Sequence, residues 1–238
     1  MVRRSPLQNF SNEVIMLIKY TKEETRFTRI LGYSGCGSGK TYSIKDLESP
    51  FIGSLENGLS PLSGQMIPYA EIDSLESMRE VYKWLKNSPE AKQYKTFCLD
   101  SLTVLAGKVL EEELKGTKDG RMAYGNMATT VTGIVNGLCK LPIDLYCIAQ
   151  LDRTQDELGK LLYSPSMPGK VLGQALPYIF DEVLALHVSK DTDGNITRAW
   201  QCQADGIWQA KDRSGKLAQW EKPNLQNIIN KTKGVSCN

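Results

Sequence analysis

The octapeptide Ser34-Gly-Cys-Gly-Ser-Gly-Lys-Thr41 constrains this chain more than any other stretch. It follows Phe27–Tyr33, whose β-branched and aromatic content reads as a strand, and a helix is expected to start near Lys40. A strand, a glycine-rich turn and a helix in that order gather backbone N–H groups and the positive end of a helix dipole around an anion. The Walker A pattern Gly-x-x-x-x-Gly-Lys-Ser/Thr places its lysine, here Lys40, on the β- and γ-phosphates of a nucleotide, and its hydroxyl, here Thr41, on Mg²⁺. Gly35, Gly37 and Gly39 permit the tight, partly left-handed backbone this requires. Ser34 stands where the pattern has its first glycine, with Gly35 beside it to absorb the strain. The candidate nucleotide-binding residues are therefore Ser34, Gly35, Cys36, Gly37, Ser38, Gly39, Lys40, Thr41 and Tyr42. Cys36 reads as incidental to binding, although its thiol exposes the loop to oxidation.

A phosphate loop of this kind needs a carboxylate at the end of a neighbouring strand to hold Mg²⁺. The apolar run Thr96–Leu99 delivers Asp100 to such a place; the same residue also suits the N-cap of the helix that follows. Glu56 follows the strand expected over Phe51–Leu55 and precedes Asn57-Gly58. A carboxylate there can deprotonate an attacking water, and on spacing alone it reads equally well as a solvated turn residue. Gln150 ends the strand expected over Ile143–Ala149; on spacing alone it reads as a polar loop residue.

Strands alternate with helical patterns at a spacing that argues for a mostly parallel sheet covered by helices. Leu75, Met78, Tyr82 and Leu85 stripe one helix, opened by a capping box of the type Asp73-x-x-Glu76. Leu102, Leu105 and Val109 stripe the next, and Met127, Val131, Ile134 and Leu138 a third. Residues 115–124 and 152–170 read as loops, the second carrying Gly159, Pro165, Pro168 and Gly169. Glu182–Val188 and Ile196–Gln203 flank the turn Asp191-Thr-Asp-Gly-Asn195, so an antiparallel hairpin is expected at one edge near the C-terminus. The expected division is an arm over 1–26, one α/β domain over 27–230 and a tail over 231–238.

Among the 238 residues, 29 basic and 27 acidic side chains leave a net charge of +2, so any nucleic-acid binding must come from a local patch rather than a global field. Six cysteines without a Cys-x-x-Cys pair, and a single histidine, His187, argue against structural zinc and for a reduced, cytoplasmic setting. Val14–Ile18 is too short to span a bilayer, and Asn12 and Glu13 before it do not suit a signal peptide. No membrane partner is expected.

The order of parts resembles the RecA-like ATPases: a phosphate loop, strands ending in Glu56 and Asp100, then a strand ending in a polar residue before a Gly/Pro-containing loop. It is more closely similar to phage single-strand annealing proteins of the Sak-four family. The stretches that carry this likeness are Ile30–Thr41, Phe51–Leu59, Tyr94–Leu105 and Asp205–Ile229, the last with Ala210-Lys-Asp-Arg-Ser-Gly-Lys216. The resemblance implies a RecA-like core, ATP with Mg²⁺ held by Thr41 and Asp100, Glu56 as general base, and Gln150 as γ-phosphate sensor. Lys211 and Arg213 resemble a Lys-x-Arg pair that reaches a neighbouring subunit's ATP. The resemblance also implies single-stranded DNA as partner, a homo-oligomeric filament or ring, a single-strand DNA-binding protein as a further partner, and the host-cell cytoplasm. Lys118, Arg121 and Tyr124 in one expected loop, and Arg153, Lys160, Tyr163 and Lys170 in the other, are the DNA-contact candidates. By composition alone these are two exposed loops with acids among their cations. The function expected is ATP-dependent single-strand annealing or strand pairing. The alternatives are a helicase-loader or KaiC-like ATPase acting on a protein, and a nucleotide-binding module that scarcely hydrolyses ATP. A small-molecule kinase is disfavoured because no lid with clustered arginines follows.

Overall fold

Residues 27–235, those described by this computed structural model, form an α/β fold around one sheet. Its strands are β1 (Arg29–Ser34), β2 (Pro50–Ser54), β3 (Tyr69–Glu71), β4 (Thr96–Asp100), β5 (Asp144–Gln155), β6 (Leu161–Ser166), β7 (Glu182–Lys190), β8 (Ile196–Gln201), β9 (Lys211–Asp212) and β10 (Trp220–Glu221). The helices are α1 (Leu75–Asn87), α2 (Leu102–Gly116), α3 (Gly120–Cys139), α4 (Lys170–Ile179) and α5 (Leu225–Lys233). The spatial order is β10-β8-β7-β1-β5-β4-β2-β3, with β6 added to β5 and β9 to β7. From β7 to β3 every neighbouring pair is parallel, and β8 and β10 continue that edge antiparallel.

Strands buried on both faces read as continuous apolar runs, and β4, Thr-Phe-Cys-Leu-Asp, is buried at each position. Successive side chains point to opposite faces. Leu31, Tyr33, Phe97 and Leu99 meet the stripes of α1 to α4 on one side. Ile30, Cys98, Tyr146 and Trp200 meet α5 on the other. The stripe of α2 is buried as its spacing implies, whereas on α3 Val135 takes the fully buried place expected of Ile134.

Several local expectations are corrected. No α-helix follows the phosphate loop. Tyr42–Asp46 is a five-residue 3-10 helix, Leu47 is extended, and Ser49 has φ +45° ahead of Pro50. The chain has only residues 42–49 to return from the carboxyl rim to the start of β2. An α-helix of that length rises about 12 Å, less than the ~17 Å that a five-residue strand spans; the tighter 3-10 winding rises ~2.0 Å per residue and reaches farther. The capping box of α1 is Ser74 with Ser77, one residue later than expected. Arg121 and Tyr124 lie on helix α3 rather than in a loop. Residues 152–166 are strand and turn: β5 runs on past Gln150 to Gln155 and pairs with β6. Asp156 makes that turn, accepting from the amides of Leu158 and Lys160 at 2.9 Å each, with Gly159 at φ +81°. Helix α5 ends at Lys233, so the domain boundary expected at 230 falls inside it. The expected arm, residues 1–26, and residues 236–238 of the expected tail, with Cys237, lie outside the described residues.

Candidate nucleotide-binding site

Parallel strands bring their carboxyl ends to one rim, where loops can converge on a ligand. Ser34 closes β1 in register with Gln150 of β5, and Ser54 closes β2 in register with Asp100 of β4. The phosphate loop and Asp100 therefore share the rim, with β5 between their strands. Ser34 needs no special backbone there: it pairs as a strand residue, and its hydroxyl donates to the Leu186 carbonyl at 2.6 Å. The positive φ values fall on Gly37 (+70°) and Gly39 (+106°).

Lys40 folds back over the loop, its Nζ donating to the carbonyls of Ser34 and Gly35 at 2.8 and 2.9 Å. Burial holds its pKa below the ordinary lysine value, against the opposing pull of Asp100, Cys36 and Glu56. Thr41 Oγ1 donates to Asp100 Oδ2 at 2.7 Å. Burial pushes the Asp100 carboxyl up, the Thr41 hydrogen bond pulls it back, and nearby Glu56 adds to the rise. The helix-capping role falls to Ser101, whose hydroxyl accepts from the Val104 amide, and Asp100 is free of it. The same Ser101 hydroxyl donates to Glu56 Oε1 at 2.5 Å, and Ser54 Oγ holds the Glu56 carbonyl at 2.8 Å. Glu56 is thus anchored beside Asp100. Gln150 stands on the wall of the same cavity, about 820 Å³, with Lys40, Thr41, Tyr42, Glu56 and Asp100.

The donor set fits Mg²⁺, a hard cation that takes oxygen ligands: the Thr41 hydroxyl and the Asp100 carboxylate lie together at the rim. Inside the loop, the buried Ser38 hydroxyl has no hydrogen-bond partner among the described residues, an orphan of the kind that a bound anion satisfies.

Other candidates lie elsewhere. Lys211 and Arg213 sit at the amino edge of the sheet, where β9 pairs with the start of β7. Lys211 Nζ donates to the Pro177 carbonyl at 2.7 Å; Arg213 donates to the Tyr178 carbonyl at 2.9 Å and to Asp181 at 2.8 Å. Both cations thus serve the C-terminal carbonyls of α4, a common use of such residues, away from the phosphate loop of their own chain. Arg121, Tyr124 and Lys170 line one cavity of about 1230 Å³ between α3 and the start of α4, whereas Lys118 is exposed between α2 and α3. Arg153 and Tyr163 face each other across the β5–β6 hairpin, and Lys160 lies in its turn region. The Tyr163 ring stacks on Trp208 at 4.3 Å, joining the hairpin to the body.

Two contacts escaped the sequence reading. The Tyr146 hydroxyl donates to the Lys40 carbonyl at 3.2 Å. Arg198 of β8 donates from Nε to the Ser38 carbonyl at 2.7 Å and lines the same cavity. The sequence carried no local signal for it, since β8 reads Ile-Thr-Arg-Ala-Trp-Gln with Arg198 on its exposed half.

Residues 26–214 match the AAA domain family. A solved structure of a prototypical ATPase from the type III secretion system of pathogenic bacteria is similar over 67% of this chain, at 16% identity and a TM-score of 0.44. The match covers 52% of that ATPase, so the chain spans about half its length. No curated protein sequence matches the chain. No helix among the described residues is long and apolar enough to cross a membrane.

Proposed function

The chain belongs to the AAA domain family, and from that premise we propose a Mg²⁺-dependent ATPase that binds single-stranded DNA as an oligomer and promotes annealing or pairing of complementary strands. The observation that carries the ATPase reading is the 2.7 Å contact between Thr41 and Asp100 beneath the folded Lys40, with Glu56 fixed alongside. Mg²⁺, when bound, neutralises charge on the phosphate oxygens. Lys40 exchanges its two loop carbonyls for phosphate oxygens. Glu56, oriented by Ser101, accepts the proton of the attacking water. Gln150 contacts the γ-phosphate and transmits its loss to the β5–β6 hairpin that continues from it. In the oligomer, Lys211 and Arg213 release the end of α4 and reach the γ-phosphate held by a neighbour, in the manner of an arginine finger.

The DNA reading rests on the likeness of sequence set out above and on the cavity shared by Arg121, Tyr124 and Lys170, which combines cations with an aromatic face. Arg153, Lys160 and Tyr163 on the β5–β6 hairpin are the other DNA-contact candidates in this reading. A single-strand DNA-binding protein is a further partner in this reading.

The test is ATP turnover at low salt with and without single-stranded DNA, followed by electron microscopy of the same mixtures. DNA-stimulated turnover, with rings or filaments only when ATP and DNA are both present, is the expected result. Turnover indifferent to DNA, with no DNA retained at low salt, would remove the DNA reading. An ATPase acting on a protein partner would then be the better account.

A further inference from the structure

We propose that Arg198 is a nucleotide-binding residue that grips the nucleoside-proximal end of the polyphosphate tail, deepening the ATPase reading on which it rests. The residue comes from far along the chain. It lies on β8, opposite Val188 of β7, in the hairpin that rises past the carboxyl rim beside β1. From there its Nε reaches the Ser38 carbonyl at 2.7 Å. A Cβ built on Gly39 would come to 3.1 Å from the same nitrogen, so glycine at 39 serves both its φ of +106° and the close seat of the guanidinium.

An arginine carries five N–H donors in a rigid fork. Among the described residues only Nε has a partner, and no carboxylate pairs with the terminal nitrogens. Arg198 is exposed, so its fork is open to a ligand on the wall of the cavity. Bidentate recognition of phosphate is the chemistry such a group performs best.

Its place on the loop says which phosphate. Lys40 Nζ rests on the carbonyls of Ser34 and Gly35, at the beginning of the loop. Arg198 rests on Ser38 and Gly39, at the opposite shoulder, where the chain turns into Thr41 and Tyr42. The two cations thus divide the tail: Lys40 takes the β- and γ-phosphates, and Arg198 takes the α- and β-phosphates. The ligand class is a nucleoside di- or triphosphate, and Arg198 does not distinguish between the two.

The experiment titrates fluorescent ADP and ATP analogues into the wild type, Arg198→Gln and Arg198→Lys, and records thermal midpoints without nucleotide and KM and kcat for ATP. Loss of a charge-assisted phosphate contact weakens binding by about tenfold or more. The expected result is that loss for ADP and ATP alike in Arg198→Gln, with a raised KM, little change in kcat and no more than the small fall in midpoint that losing the Ser38 hydrogen bond brings. Arg198→Lys, which keeps the charge without the fork, should fall between. A loss confined to ATP, or a fall in kcat alone, would overturn the assignment in favour of a γ-phosphate role. Unchanged affinity for both nucleotides, whatever the midpoint does, would reduce Arg198 to a structural brace. Wild-type protein that binds neither nucleotide would sink the ATPase reading as well, an outcome the variants cannot imitate.

Discussion

Glu182→Gln should stabilise the protein increasingly as pH rises. Glu182 starts β7, is fully buried, and has no hydrogen-bond donor for either carboxyl oxygen among the described residues. Its cross-strand partner is Asp212 of β9. That carboxylate accepts from the Ser214 hydroxyl at 2.6 Å and from the amides of Leu217 and Gly215 at 2.9 and 3.0 Å. These bonds outweigh the effect of burial and hold Asp212 ionised. Burial, reinforced by Asp212 and then Asp181, pushes Glu182 from 4.5 to about 8. The folded state therefore keeps a proton that the unfolded chain gives up. A carboxyl raised in this way contributes most below pH 4.5, and its contribution is lost as pH rises to about 8. Each pH unit in that window costs about 1.4 kcal/mol, so the full penalty is on the order of 5 kcal/mol, a large share of a typical domain's 5–15 kcal/mol. Glutamine is close in shape to the protonated carboxyl and has no proton to lose. Urea unfolding of both proteins at pH 5, 7 and 9 isolates the effect, because the other titrating groups are common to both. The difference should be small at pH 5, about 3 kcal/mol at pH 7 and larger at pH 9. A difference that stays constant with pH, or shrinks as pH rises, would mean that Glu182 does not hold a proton in the folded state.

Three further outcomes test the site. Lys40→Ala should abolish ATP binding or turnover, read by fluorescent-nucleotide titration and phosphate release. Glu56→Gln should preserve ATP affinity while lowering turnover by about 10²-fold or more, the usual size of a general-base contribution; loss of affinity in equal measure would make Glu56 a binding group instead. Arg213→Ala should leave nucleotide binding by the monomer intact and cut the turnover that depends on assembly, and equal loss of both would contradict a role across subunits. The same variant also breaks the Arg213–Asp181 pair, so its thermal midpoint should be measured alongside.

The parts legible before folding are those built by neighbours along the chain. The phosphate loop, the apolar strand that ends in Asp100, and the stripe of α2 are local patterns. Covalent connection alone brings their parts together, so spacing was enough to read them. It was not enough where a segment's form depends on the distance it must cover, as in the 3-10 helix of Tyr42–Asp46, or on one side chain, as in the Asp156 turn that makes a hairpin of an expected loop. Tertiary structure decided the rest through register. Strand pairing sets Arg198 on Ser38 across 160 positions of sequence, binds Lys211 and Arg213 to the end of α4, and faces Glu182 with Asp212. A strand's local pattern specifies which face is buried; it does not specify which distant strand lies beside it. Contacts made across that choice become visible only once the sheet is assembled.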